Sequence, residues 1–268
     1  MPSTPVFLGE KPNGISPSRV SQFANCPRQY QYVSVEKLPE RKSKDAFRGT
    51  VFHAVLEQLF AESLDNPPHR TIENAMAKFY EVFPTMVDEA VAEELGLDPT
   101  NGISEFAAEI TKLIRNYYRM EDPTAITTEA VEIRFDYDMG GWGLRGIIDR
   151  LDRIEDGSLA VVDYKTGKPP RKGYEAKALE ACQTYAYLCQ QVRGEVPSEL
   201  RLIYVKTGTQ ITHKVEERDL DSAERRVRKT WESIEKCYET SNFPAKPSIL
   251  CNWCSFQSIC RGDQSSPF

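Results

Sequence analysis

Apolar positions recur at helical spacing from about Asp45 to Ser63, where Phe47, Val51, Val55, Leu56, Leu59 and Phe60 form one stripe ended by Asn66-Pro67-Pro68. The spacing predicts a helix that carries His53. An earlier helix is predicted to start at Ser16-Pro17, with Ser as cap, Pro at the first helical position, and Val20 and Phe23 on one face. Cys26-Pro27 marks its kink or end. Two more helical patterns, near residues 71–95 and 103–120, flank the turn formers GLDPTNG and read as a helical insert over 65–125. The period then changes. TEAVEIRFDYD, WGLRGIIDRLDRI and SLAVVDYKTG read as three strands joined by Met139-Gly140-Gly141 and Glu155-Asp156-Gly157, turns short enough to force antiparallel neighbours. A helix over about 176–191, the strand LRLIYVKTG, its hairpin partner QITHKVEE and an amphipathic helix over 219–240 complete the pattern. The expected fold is mixed α/β: a central mixed sheet containing an antiparallel three-strand meander, flanked by helices.

Length and composition narrow this. A chain of 268 residues suits a single domain over 1–268, with a catalytic sheet and helix at 128–217. Apolar residues at 40% and charged residues at 28% describe a globular chain. The opening MPSTPVFLGEKPNG has no basic leader before an apolar core, and no apolar run approaches the ~20 residues that span a bilayer. The expectation is a cytoplasmic protein with no membrane partner. Reducing pools there disfavour disulfides, so the seven cysteines call for metal ligation, a cluster or plain burial. A net charge of −6 excludes coating nucleic acid by bulk electrostatics and leaves room for a local basic groove.

One strand breaks its apolar run with charge. In LAVVDYKTG, alternation puts Asp163 and Lys165 on one face and Tyr164 on the other. A buried ion pair seldom recovers its desolvation cost, so stability alone is a poor reason to place one in a core strand. The preceding strand carries Asp149 in GIIDR, and a tight hairpin can bring it beside Asp163. Two converging carboxylates repel unless a proton or a cation intervenes, and a hard ion such as Mg²⁺ prefers oxygen ligands.

These residues, taken in order, resemble the RecB-like branch of the PD-(D/E)XK nucleases, over roughly residues 16–262. GTVFHAVLE matches that branch's G-x-x-x-H-x-x-x-E helix through Gly49, His53 and Glu57; GIIDR supplies Asp149, DYK supplies Asp163 and Lys165, and QTYAY supplies Gln183 and Tyr187. The resemblance implies a restriction-endonuclease-like core and a metal-dependent DNA exonuclease. It would hydrolyse phosphodiesters of single-stranded DNA or DNA ends in recombination, repair, or phage- or CRISPR-type DNA processing. It further implies that Asp149, Asp163, the Tyr164 carbonyl and His53 hold Mg²⁺ or Mn²⁺. Lys165 would orient the attacking water and stabilise charge on phosphorus. Glu57 would orient the imidazole or help with a second metal, and Gln183 and Tyr187 would contact the lysine, the scissile phosphate or a nearby base. No phosphate-cradling G-x-x-x-x-G-K-[ST] loop is present, so unwinding would fall to a helicase, with a recombinase or integrase as other partner classes. The rival reading is a DNA-binding adaptor subunit with little activity of its own. A site-specific restriction endonuclease is a third, against which stands the lack of a separate recognition domain.

CNWCSFQSIC sets Cys251, Cys254 and Cys260 at C-x2-C-x5-C, and Cys26 is their distant candidate partner. Four thiolates suit structural Zn²⁺ or an iron–sulfur cluster. The nucleases that the chain resembles, CRISPR-associated exonucleases and the nuclease domain of AddB, hold [4Fe-4S] in this arrangement, so the resemblance implies a [4Fe-4S] cluster bound by the ends 15–32 and 244–262. Cys182, Cys189 and Cys237 fall in helical patterns and read as small buried residues. Basic residues gather at Arg41, Lys42 and Lys44, at Lys168, Arg171 and Lys172, and at Arg225, Arg226, Arg228 and Lys229. The second group follows the charged strand directly and is the best candidate for phosphate. Tyr30, Tyr32 and Tyr174 are candidates for stacking on bases, with core packing the plainer reading for most.

Overall fold

The computed structural model describes residues 10–262, and the opening stretch read for a leader lies mostly outside them. In chain order the elements are β1 (Gly14–Ile15), α1 (Pro17–Asn25), α2 (Pro27–Tyr30), α3 (Lys44–Ala61), α4 (Ile72–Met86), α5 (Glu89–Glu94) and α6 (Gly102–Tyr117). There follow β2 (Thr128–Asp138), β3 (Gly143–Arg153), β4 (Leu159–Lys165), α7 (Glu175–Arg193), β5 (Glu199–Tyr204), β6 (Thr209–Lys214), α8 (Glu217–Glu239) and α9 (Gln257–Gly262). They form two compact units.

The larger unit takes in Lys42–Phe135 and Ile147–Glu217. Its sheet is mixed. β3 and β4 are antiparallel, with Arg150 opposite Val162, as the short Gly157 turn requires. β4 and β5 are parallel, with Asp163 opposite Leu202, because α7 carries the chain back across. β5 and β6 close the edge as an antiparallel hairpin. β4 is buried from Leu159 to Tyr164, since helices cover it, and this explains its nearly unbroken apolar run. Phe52, Val55 and Leu56 of α3, Phe79 of α4 and Ile110 and Ile114 of α6 pack into one core with Val162 and Ile203 of the sheet.

Polar caps set the helix starts. The hydroxyls of Ser43 and Thr71 accept the backbone N–H groups of Ala46 and Asn74, satisfying donors that have no partner within the helix. The pattern over 71–95 predicts one helix where the structure has two. Val87 is extended, and the Asp88 carboxylate caps α5 by accepting from Val91 N–H at 2.8 Å.

The smaller unit holds the described residues up to Arg41, Asp136–Gly146 and the described residues from Arg218. Ser16 caps α1 and Pro17 opens it, as the sequence predicts, and extended Cys26 separates α1 from α2. A π-helical turn, Gln31–Val35, continues α2. Tyr30 and Tyr32 are core residues: Tyr30 lies against the rings of Phe23 and Phe243, and Tyr32 against Phe256. Trp142 stacks on Trp231 of α8, ring centroids 4.7 Å apart. β1, which the sequence does not predict, pairs in parallel with the start of β3 through Gly14 and Gly143; a Cβ at Gly14 would sit 2.3 Å from the Gly143 carbonyl oxygen. Among the described residues no helix is long and apolar enough to cross a membrane.

Candidate active site

The site lies within the larger unit, where the end of β4 meets α3 and β3. Continuing the β3–β4 register by one residue from the Arg150–Val162 pair sets Asp149 across from Asp163, side chains on one face. Asp149 Oδ2 also accepts the Tyr164 backbone N–H at 2.9 Å, so the first carboxylate is tied to the peptide beside the second.

His53 enters from α3. Its Nε2 lies 3.1 Å from the Tyr164 carbonyl oxygen and its Nδ1 lies 3.3 Å from Asp149 Oδ2. Both ring nitrogens face oxygens, an arrangement suited to a protonated ring. Burial alone would lower the imidazole pKa, but the hydrogen bond and charge of Asp149, with Asp163 behind it, outweigh burial and raise it. The motif glycine has a steric reason: a Cβ on Gly49 would meet Thr166 Oγ1 at 2.9 Å, so a bare backbone lets α3 approach the turn after β4.

Lys165 Nζ stands 2.5 Å from Asp163 Oδ2. That carboxylate oxygen is buried, and the ammonium is the one group that meets it among the described residues. Burial would lower the ammonium's pKa, but the adjacent carboxylate raises it, so Lys165 keeps its charge. Burial lifts the Asp163 carboxyl above the usual range against the pull of Lys165, with Asp149 adding to the lift. The Asp149 and Asp163 carboxylates and the Tyr164 backbone carbonyl form a donor set that would suit a hard divalent cation.

One member of the site is not predicted by the sequence. Among the described residues, the single group of three or more His, Cys, Asp and Glu donors drawn within 4.8 Å of one another is His53, Glu132 and Asp149. Glu132 sits within β2 at φ 45°, a left-handed backbone that non-glycine residues rarely adopt. Its carboxyl is pushed up to about 7 by burial, with Asp149 and Glu57 repelling its charge. No sequence signal separates it from the other acids of that strand, because the backbone twist that turns it inward is not written in residue type.

The remaining predicted residues are distributed around this group. Glu57 is exposed and lines a cleft with Gly49, Thr50, His53 and Glu132. The contacts that orient the imidazole come from Asp149 and Tyr164, not from Glu57. On α7, Gln183 is half-buried and Tyr187 is buried one turn further along. Cys182 on the same helix is buried; burial and the Asp163 charge push its thiol far up, which makes it a neutral neighbour of the ion pair. The basic clusters differ in how they are used. Lys42 and Lys44 pair with Glu94 and Glu109, and Arg228 with Glu224. Lys168, Arg171 and Lys172 are exposed beside Tyr174, which is 69% exposed.

In the smaller unit, Cys26, Cys251, Cys254 and Cys260 line one cavity of about 530 Å³. All four are free thiols. The backbone N–H groups of Lys246 and Ser248 point at Cys26 and Cys251 Sγ, at 3.5 and 3.4 Å. Burial, with the other thiols adding to it, raises Cys254 and Cys260.

A mixed sheet flanked by helices, with these acids and a lysine on adjacent strand ends, defines a restriction-endonuclease-like fold. The family model of the PD-(D/E)XK nuclease superfamily matches residues 14–261, and the chain belongs to that superfamily. Such nucleases use divalent metals, and His53, Glu132 and Asp149 form a candidate site for one. The chain is 27% identical over 189 residues to the Gene 69 protein of Mycobacterium phage D29, covering 63% of this chain and 69% of the phage protein. It is 28% identical over 172 residues to a subunit of the ATP-dependent helicase/deoxyribonuclease of Streptococcus agalactiae serotype Ia, covering 60% of this chain but 15% of that much longer protein. A solved structure from Eubacterium rectale, named only provisionally as an exonuclease, superposes with TM-score 0.53 at 12% identity over 94% of this chain and 88% of that one, which is a likeness of fold.

Proposed function

We propose that this chain is a metal-dependent deoxyribonuclease that degrades DNA from ends or as single strands. The carrying observation is the Asp163–Lys165 pair on one strand face, with Asp149 and His53 gathered around the intervening peptide. Asp149, Asp163 and the Tyr164 carbonyl would hold Mg²⁺ or Mn²⁺, with His53 and Glu132 as further ligands. A bound divalent ion would supply Lewis-acid polarisation of the phosphate and a lowered pKa for water. Lys165, charged and beside Asp163, would offer a donor to the negative charge that develops on phosphorus. As a metal ligand His53 would be the neutral imidazole, so binding of a divalent ion would require loss of the ring proton. Lys168, Arg171 and Lys172 follow the active strand and would hold backbone phosphates, with Tyr174 as a stacking surface; Gln183 and Tyr187 would approach the lysine or the scissile phosphate. Processing in recombination, repair, or a phage- or CRISPR-type setting beside a helicase, recombinase or integrase is what the motif resemblance implies, and of these the relatives' names support a phage setting and a helicase partner. A cytoplasmic location fits the sequence.

We read the four cysteines as ligands of a [4Fe-4S] cluster, with Zn²⁺ as the alternative. Zinc with ~2.3 Å Zn–S bonds draws its thiolates to about 3.8 Å from one another. Here the four thiols share the lining of one cavity, no three of them lie within 4.8 Å of one another among the described residues, and backbone N–H groups aim at two of the sulfurs, which supports the larger group. A bound cluster would tie α2 to the C-terminal segment.

Purified protein incubated with end-labelled single- and double-stranded DNA in Mn²⁺, Mg²⁺ or EDTA tests the reading. Metal-dependent shortening from ends is the expected result, and Lys165→Ala should keep its fold and lose at least about 10²-fold in rate. DNA binding without degradation in any metal would favour the adaptor reading.

A further inference from the structure

Strand alternation gives the active strands a second face. Asp149 and Asp163 look into the site, so Arg150 and Tyr164 look away from it. Arg150 is fully buried. Its Nη1 donates to Glu121 Oε1 at 2.5 Å, to the Tyr164 hydroxyl at 2.5 Å and to the Tyr117 hydroxyl at 2.9 Å; its Nε donates to Asp152 Oδ2 at 3.0 Å. The guanidinium also lies 5.0 Å from the Phe60 ring centroid. Burial raises the Tyr117 and Tyr164 phenols, so both stay neutral. Burial would raise the Glu121 carboxyl too, but the Arg150 charge outweighs it and holds it below the usual range. Glu121 carries the negative charge that meets the guanidinium.

A fully buried cation with two acids is a poor source of stability, because desolvation consumes most of the attraction. Its position supplies another reason to keep it. Tyr164 is the residue whose N–H is held by Asp149 and whose carbonyl faces His53. Its phenol is gripped from behind by Arg150, and Arg150 itself follows Asp149 in the chain. The acid that fixes Arg150 comes from the end of the helical insert, four residues beyond α6.

We propose that Arg150, braced by Glu121, is a positioning residue: it clamps the Tyr164 phenol from the rear of the sheet and thereby fixes the peptide between Asp163 and Lys165 for metal binding. The inference rests on the metal-site reading of Asp149, Asp163 and Tyr164. It gives the insert a task, since Glu121 and Tyr117 deliver the brace.

Full-length Tyr164→Phe and Glu121→Gln test it, both close in size to the native residues. In EDTA-treated protein, hydrogen exchange of peptides covering 160–166 should speed up about tenfold or more in each variant relative to β5 peptides, beyond any general fall in the thermal midpoint from leaving the buried guanidinium less well paired. Calorimetric titration with Mn²⁺ should show affinity about tenfold or more weaker, with cleavage recovering at high metal. Unchanged exchange at 160–166 together with a lowered thermal midpoint would overturn the inference and leave the network merely structural. A wild-type protein that takes up no Mn²⁺ would defeat the metal site itself, and the exchange arm, which needs no metal, would still decide the role of the clamp.

Discussion

Glu132 is held against local backbone preference beside His53 and Asp149. A non-glycine residue at φ 45° costs about 1 kcal/mol, and crowding by Asp149 and Glu57 adds to the cost. Glu132→Gly should therefore raise the unfolding free energy of metal-free protein by about 1 kcal/mol in denaturant titrations while weakening Mn²⁺ binding. A loss of stability would contradict the strain argument. The pH dependence has a definite sign. The folded carboxyl sits near 7, above its unfolded value, so the folded state holds the proton better; the resulting stability is present at low pH and is lost as pH rises through about 7. The metal-free thermal midpoint should fall across that window, and Glu132→Gln should shrink the fall. Metal affinity should move the other way, strengthening as pH climbs and the carboxyl opens. Asp149, Asp163, Lys165 and His53 are legible in sequence because charges interrupting an apolar strand, and a His at fixed spacing from a Gly, are visible in residue type. Glu132 is not, because its distinction is a dihedral angle. Arg150 reads as no more than the neighbour of a motif aspartate, since strand alternation hides what lies behind a site.

At the scale of elements, helices and strands follow their periodicity because each buries one face or, for β4, both. Departures have physical causes. The single helix read over 71–95 divides where Asp88 offers a cap, and a cap outcompetes continuation when the preceding residue is extended. β1 has two residues and no pattern of its own, so only its pairing with β3 makes it a strand. α3 carries both the core stripe and His53. Phe52 on that helix is fully buried, edge-on to Tyr117 and Tyr164. Phe52→Ala should cost about 3–5 kcal/mol in chemical denaturation. A loss well below that would show that the helix is not anchored as described.

For the whole molecule, each compact unit has its own chemistry: carboxylates and a lysine in the larger, four thiols in the smaller. The cysteine set is visible in sequence through its C-x2-C-x5-C spacing, whereas its spread around a cavity is a property of the folded chain. Cys26→Ala should lower soluble yield and speed proteolysis over 244–262, and wild-type protein purified without oxygen should be brown. A colourless preparation with stoichiometric zinc would reject the cluster.

The proposed divalent cation of the larger unit would sit between strand ends beside an ammonium. Anomalous diffraction from crystals soaked in Mn²⁺ measures this directly. A peak in contact with the carboxylates of Asp149 and Asp163 and the Tyr164 carbonyl is the predicted result. Density that leaves these oxygens bare while Mn²⁺ occupies other acids of the chain would contradict the account.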